Sequence, residues 1–336
     1  MSTPLDNLVA CLLQCCSHDN AARQAAEAQL RSAGSTSGFG TALVAVALDQ
    51  SRPEQARQLA AVYLKQFLKE FWRDGNSRFT QQEKTYARTH LLTGLRDPSR
   101  LMRTAFGLCV AKIAQEDWPE QWPDLFDHLL GALDSGDPVH VLGAVRCISL
   151  FCDWLDDVTI PRLAANLFPA LTRIVSDDVS FGPQTRRYAS SVIKTCVVLF
   201  SHMRGNPDMP AFAALAQGIQ QWLGPLLNML TPQSWQRQQV WHQQSIVSGR
   251  VMAEDPALCR GYGCQIESLQ SMSVLVGELY KFLGPNEARR VFMTVWQFTE
   301  QLLPLYISQV ISPPDSVGGN GGDGGACSHL LVGIST

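Results

Sequence analysis

Apolar residues along this chain recur at three- and four-residue intervals, and no stretch alternates apolar and polar at period two for long enough to argue a sheet. The run from Pro53 to Trp72, "PEQARQLAAVYLKQFLKEFW", shows the pattern. Ala56, Leu59, Ala60, Tyr63, Phe67 and Phe71 form one apolar stripe, and Leu64, Leu68 and Trp72 form a second beside it. Two stripes imply two packing partners: the preceding helix of the same unit and the helix of a neighbouring unit. Lys65, Lys69 and Arg73 occupy the remaining face at four-residue spacing. A solvated face is the simpler reading of that line, and a contact surface the other.

Aligning the chain on itself shows a repeat. Segments that open at Arg23, Arg57, Arg103, Arg146 and Arg187 each continue with apolar residues at helical spacing. Asp19, Asp97, Asp137 and Asp178 precede four of them as candidate helix N-caps. A second helical pattern lies upstream of each, so the unit is helix A, a turn and helix B at the HEAT/armadillo period. The predicted class is an all-α, α-α superhelix over residues 1–311. A repeated Arg beside an Asp suggests a ladder of charge-assisted bonds between units, and Arg103, Arg146 and Arg187 are read as structural on that basis. Residues 231–262 lose the periodicity and read as an insertion, while 312–336 are Pro- then Gly-rich and read as a disordered tail.

"QEDWPEQWPDLF" at 115–126 interrupts the repeat. Proline disfavours helix in the residue before it, so a B helix should stop near Asp117. Trp118, Pro119, Trp122 and Pro123 are then a structural corner, with Pro123 in the first turn of the next A helix and both indoles packed on the flanking helices. The P-x-x-x-P spacing does not suit a proline-recognition ligand.

Composition and chemistry narrow the function classes. The net charge of −3 does not suggest a nucleic-acid binder. No run is long and apolar enough for a membrane span, and the first residues lack the features of a secretory signal, so an intracellular protein is expected. The ten cysteines form no C-x-x-C pair and read as small buried hydrophobes. There is no Walker loop, no G-x-S-x-G and no H-E-x-x-H, and the adjacent pairs Asp156-Asp157 and Asp177-Asp178 read as turn and cap residues. No catalytic residue, cofactor or metal is expected. A repeat array without chemistry reads as a protein-binding surface.

Two segments carry a resemblance. Residues 27–72, with Ala26-Glu27, Leu30 and "RQLAAVYLKQFLKEFW", resemble the importin-β N-terminal domain, and "FGLCVAKIAQEDWPEQWPDLFDHLLGAL" (106–133) resembles the next part of the same family. Residues 135–174 look most like its importin-9 subgroup. The importin-like N-terminal region is placed at about 22–72, and full-length members are several-fold longer, so a truncated member is expected. The resemblance implies a nuclear transport receptor that shuttles between cytoplasm and nucleus through the nuclear pore. Its implied partners are the GTP-bound GTPase Ran, Phe-Gly nucleoporins in grooves between A helices, and basic protein cargo of the histone or ribosomal-protein class. Carried over by position, the Ran surface comprises Arg57, Lys65, Lys69, Arg100, Arg103 and Lys112. The alternative is a HEAT scaffold for another protein, without transport activity.

Overall fold

The computed structural model describes residues 3–73, 75–231, 233–234 and 263–306. The 231–262 insertion, apart from its first residues, and the 312–336 tail lie outside these. Among the described residues there are thirteen α-helices and no strand, which establishes the all-α class. The chain divides into two compact units, Met1–Trp154 and Leu155–Thr336.

The first unit pairs α1 (Pro4–Gln14) with α2 (Asn20–Ala33), and α3 (Phe39–Leu48) with α4 (Glu54–Phe71). Next come α5 (Gln81–Leu91), a 3-10 turn over Leu92–Arg96 and α6 (Arg100–Asp117), then α7 (Leu125–Leu133) and α8 (Pro138–Phe151). The B helices α4, α6 and α8 pack side by side in parallel. The Cys109 thiol of α6 reaches the Ala61 carbonyl of α4 at 3.8 Å, and the Cys147 thiol of α8 reaches the Gly107 carbonyl of α6 at 3.8 Å. Gly143 permits the approach of α8 to the 3-10 turn: a Cβ there would sit 2.1 Å from the Leu95 carbonyl oxygen.

The two stripes read from the α4 sequence are both core-facing. Ala56, Ala60, Leu64, Phe67, Leu68 and Trp72 are buried, and Leu59, Tyr63 and Phe71 are half-buried. Pro53 is the N-cap of α4, one position before the helix.

In the second unit α9 (Ile160–Ser176) pairs with α10 (Pro183–Met203). Then follow α11 (Pro210–Met229), α12 (Gly263–Gly277), which packs along α10, and α13 (Tyr280–Tyr306), whose backbone breaks at Gly284 with φ 75°. Lys194 of α10 ties to Glu267 of α12 at 2.6 Å.

Arg57 and Arg186 share one job within the repeat, and the register is shifted in two copies. Arg23, Arg57, Arg103 and Arg186 each occupy the fourth residue of their B helix. Arg57 and Arg186 donate to the last-turn carbonyls of the A helix before them, Ala47 (3.0 Å) and Val175 (3.1 Å). Those carbonyls have no partner within their own helix, so the guanidinium acts as a C-terminal cap. Arg103 bonds instead the Asp97 and Pro98 carbonyls of the linker just before α6, at 2.6 and 2.9 Å. Arg146 lies in the middle of α8 rather than at its start, and Arg186, not Arg187, is the buried member of its pair. The aspartates divide as well. Asp19 and Asp137 accept from Ala21 and Val139 as N-caps, but α6 begins after Ser99 and α10 after Gly182. Asp97 serves instead as a buried rung, ion-paired to Arg57 of the preceding repeat.

Candidate protein-binding surface

The corner at 115–126 fixes one end of this surface. The helix α6 ends at Asp117, and Trp118 is extended at φ −89°, ψ 139°, as the following proline requires. The Trp118–Pro119 peptide is cis. The Asp117 carbonyl accepts from the Gln121 and Trp122 amides at 2.7 and 3.0 Å, which closes the turn. Trp122 is buried, and Trp118 is half-buried with its ring 4.9 Å from that of Phe126. Pro123 precedes the N-cap Asp124 and so stands just outside the first turn of α7.

The Asp117 side chain reaches two earlier helices. Its carboxylate accepts from the Trp72 indole at 2.9 Å and from Arg88 at 2.8 and 2.7 Å. Lys84 and Arg88 lie over the Trp72 ring. One residue thus ends α6, opens the corner and ties both to α4 and α5. The contact of Asp117 with Trp72 and Arg88 was not foreseen from the sequence, because these residues meet across 45 and 29 residues of chain. The only local signal is an acidic residue directly before Trp-Pro.

The six basic residues expected at a binding surface do not form one patch. Arg57 is 5% exposed, and its guanidinium is held by Asp97 and the Ala47 carbonyl. It belongs to the packing between repeats and leaves the surface set. Arg103 is half-buried with its bonds directed at the carbonyls before α6, and Arg100 and Arg146 lie close enough to act on its charge. Burial pulls the Arg103 pKa down, and Asp97 opposes that shift. Lys112 is half-buried and bonds Glu116 at 2.9 Å, and Glu116 in turn receives Arg73, just past the end of α4, at 2.5 Å.

Lys65 and Lys69 are exposed, and among the described residues neither makes an ion pair. They continue a stripe that begins at Val62, which is 60% exposed, and ends at Arg73. On α6, Leu101 is 54% exposed and is followed at helical spacing by the half-buried Ala105, Leu108 and Lys112. One exposed line of α4 is therefore basic, with Val62 beside the lysines and Leu101 apolar on α6, while Glu54 and Glu70 are exposed elsewhere on α4. An arrangement of this kind favours an acidic protein partner with an apolar contact of its own.

A second feature is a groove between A helices of the first two repeats. It encloses about 410 Å³ and is lined by Pro4, Leu8 and Cys11 of α1, Leu30 of α2, and Phe39 and Ala42 of α3. The lining is mainly apolar and contains no charged side chain.

Among the described residues no group of three His, Cys, Asp or Glu side chains could hold a metal ion, and no helix is long and apolar enough to cross a membrane. The eight described cysteines are free. Five are buried and match the small-hydrophobe reading, whereas Cys16 is exposed and Cys11 and Cys15 are half-buried.

Comparison with known proteins agrees with this architecture. The family model described as the importin-beta N-terminal domain matches residues 26–97, which run from α2 to the Asp97 rung. Importin-9 of Drosophila melanogaster is 24% identical over 309 residues, which is 89% of this chain and 28% of that protein. Human importin-11 is 30% identical over 156 residues, 46% of this chain and 16% of that protein. The chain therefore spans under a third of the length of these relatives. Among solved structures, Kap95p, whose binding induces the switch loops of RanGDP to adopt the GTP-bound conformation, superposes with a TM-score of 0.56 at 15% identity, over 99% of this chain and 41% of that one. At that identity the likeness concerns the fold alone. Residues 26–97 thus match the importin-beta N-terminal domain, and most of the chain is similar to the N-terminal part of importin-9.

Proposed function

We propose that the chain acts as the N-terminal arm of an import receptor and binds GTP-loaded Ran through the exposed surface of α4 and α6. The observation that carries this reading is the unpaired Lys65–Lys69 stripe with Val62 beside it, within the importin-beta N-terminal domain. Arg100 and Lys112 extend the surface on α6, with Leu101 as an apolar contact. The structural neighbour Kap95p binds Ran, which supports the choice of partner. The apolar groove between α1 and α3 suits the phenylalanine of a Phe-Gly nucleoporin, and another neighbour, Kap121p, is described as bound to Nup53p. Basic protein cargo, localisation shared between cytoplasm, nucleus and nuclear pore, and a binding rather than catalytic role follow from the same reading.

The test is retention of the chain on immobilised Ran loaded with a non-hydrolysable GTP analogue or with GDP. Preferential retention on the GTP form, lost in a Lys65→Glu/Lys69→Glu variant, supports the proposal. Equal retention on both forms, or none, removes it. A second reading is a scaffold for another protein without transport activity, for which the uncharged apolar groove between α1 and α3 would be the contact. Absence of Ran binding together with specific capture by a different partner would favour it.

A further inference from the structure

The last described helix exposes an ordered set of large side chains. On α13, Val291 and Phe298 are buried at 0% and 2% exposure and form its inner stripe. On the outer side Phe292 is 56% exposed, Met293 44% and Trp296 52%, and the Phe292 and Trp296 rings stack at 6.3 Å. Contiguous aromatic surface of this kind on a soluble protein marks an interaction site. Tyr280, also exposed, lies on the other side of the Gly284 break and is not part of the stripe.

The charges around the aromatics indicate what covers them. Arg289, Met293, Trp296 and Glu300 follow one another at intervals of four, three and four residues, the spacing of a helix-pairing seam. Both charged ends are exposed, and among the described residues neither Arg289 nor Glu300 has an ion-pair partner. Arg290, by contrast, is engaged by Glu287 at 3.4 Å. A seam with a cation at one end, an anion at the other and apolar residues between is complementary to itself under a two-fold axis.

We propose that two copies of the chain associate through this seam, with their α13 helices antiparallel. A crossing centred between Thr294 and Val295 places Met293 against Trp296 of the second copy, and Arg289 against Glu300 of the second copy. Two Arg–Glu pairs then flank an apolar centre of four side chains, with Phe292 packing at its edge. Aromatic anchors inside a polar rim are the usual source of affinity in such contacts. The same seam run parallel would set Arg289 against Arg289 and Glu300 against Glu300, so the charges select the antiparallel arrangement.

Sedimentation equilibrium of the full chain at concentrations on the order of 50 µM reads the assembly directly. The expected mass is that of two chains. Arg289→Glu and Glu300→Arg should each be monomeric, because each sets like charges opposite one another at both ends of the seam. An equimolar mixture of these two variants should recover the dimer, since the heterologous pair restores both attractions. Trp296→Ala should raise the dissociation constant by at least about tenfold, the effect of truncating a central anchor. A monomeric wild-type chain overturns the proposal. So does a dimer that survives Arg289→Glu and Trp296→Ala, or a mixture of the two charge variants that stays monomeric. None of these outcomes depends on whether the chain binds Ran.

Discussion

Arg57 shows how much a single contact decides in a repeat array. Its guanidinium caps the end of α3 and pairs with Asp97 of the next repeat while buried. Asp97→Ala leaves that charge without a counter-ion, and we expect a loss of about 3–5 kcal/mol in urea denaturation. An Arg57→Met/Asp97→Leu double variant should recover much of the loss, because apolar replacement of a whole buried pair is often close to neutral. Thiol reactivity follows burial in the same way. Burial pushes the Cys109 and Cys264 thiols up to about 12 and about 11, and raises that of Cys147 as well. Peptide-mapped alkylation at pH 8 should label Cys16 in the folded protein and these three only after denaturant is added. Asp6 gives a pH dependence of known sign. Hydrogen bonds from the Thr3 backbone and from Arg52 hold its carboxyl at about 2, below the ordinary value of 3.8. Its contribution is full above pH 3.8 and fades as pH falls toward 2. The melting-temperature difference between wild type and Asp6→Ala should therefore narrow across that window.

At the scale of the element, the corner and the B helices account for most of the architecture of the first unit. Trp-Pro at 118–119 ends α6 at the residue that the proline rule gives, since the restriction is local. Asp117 binds the result to α4 and α5, so Asp117→Ala should cost more than the loss of a surface acid. It strips the partner from the Trp72 indole and from Arg88, and about 3 kcal/mol or more is expected from urea denaturation. The helix pairs, their two-sided burial and the corner were legible in the sequence, because periodicity and proline act over a few residues. The registers of Arg146 and Arg187 were not. An arginine looks the same whether it opens a helix or lies inside one, and only the carbonyls it reaches distinguish Arg186 from Arg187. The binding surface was legible only in part. A charge count over α4 places Lys65 and Lys69 on the exposed face but cannot show that Asp97, forty residues on, takes Arg57 out of it.

At the scale of the whole molecule, the chain presents a lysine line with Val62 on α4, an apolar groove between α1 and α3, and an aromatic seam on α13. The central claim is that the first of these recognises Ran in a nucleotide-dependent way. The direct measurement is the dissociation constant of the full chain for Ran loaded with a non-hydrolysable GTP analogue and with GDP, by calorimetry or interferometry. The account predicts binding at least about tenfold tighter to the GTP form, a difference of about 1.4 kcal/mol, with the preference removed by Lys65→Glu/Lys69→Glu. Equal affinity for the two forms, no binding to either, or a preference that survives that double substitution would contradict it.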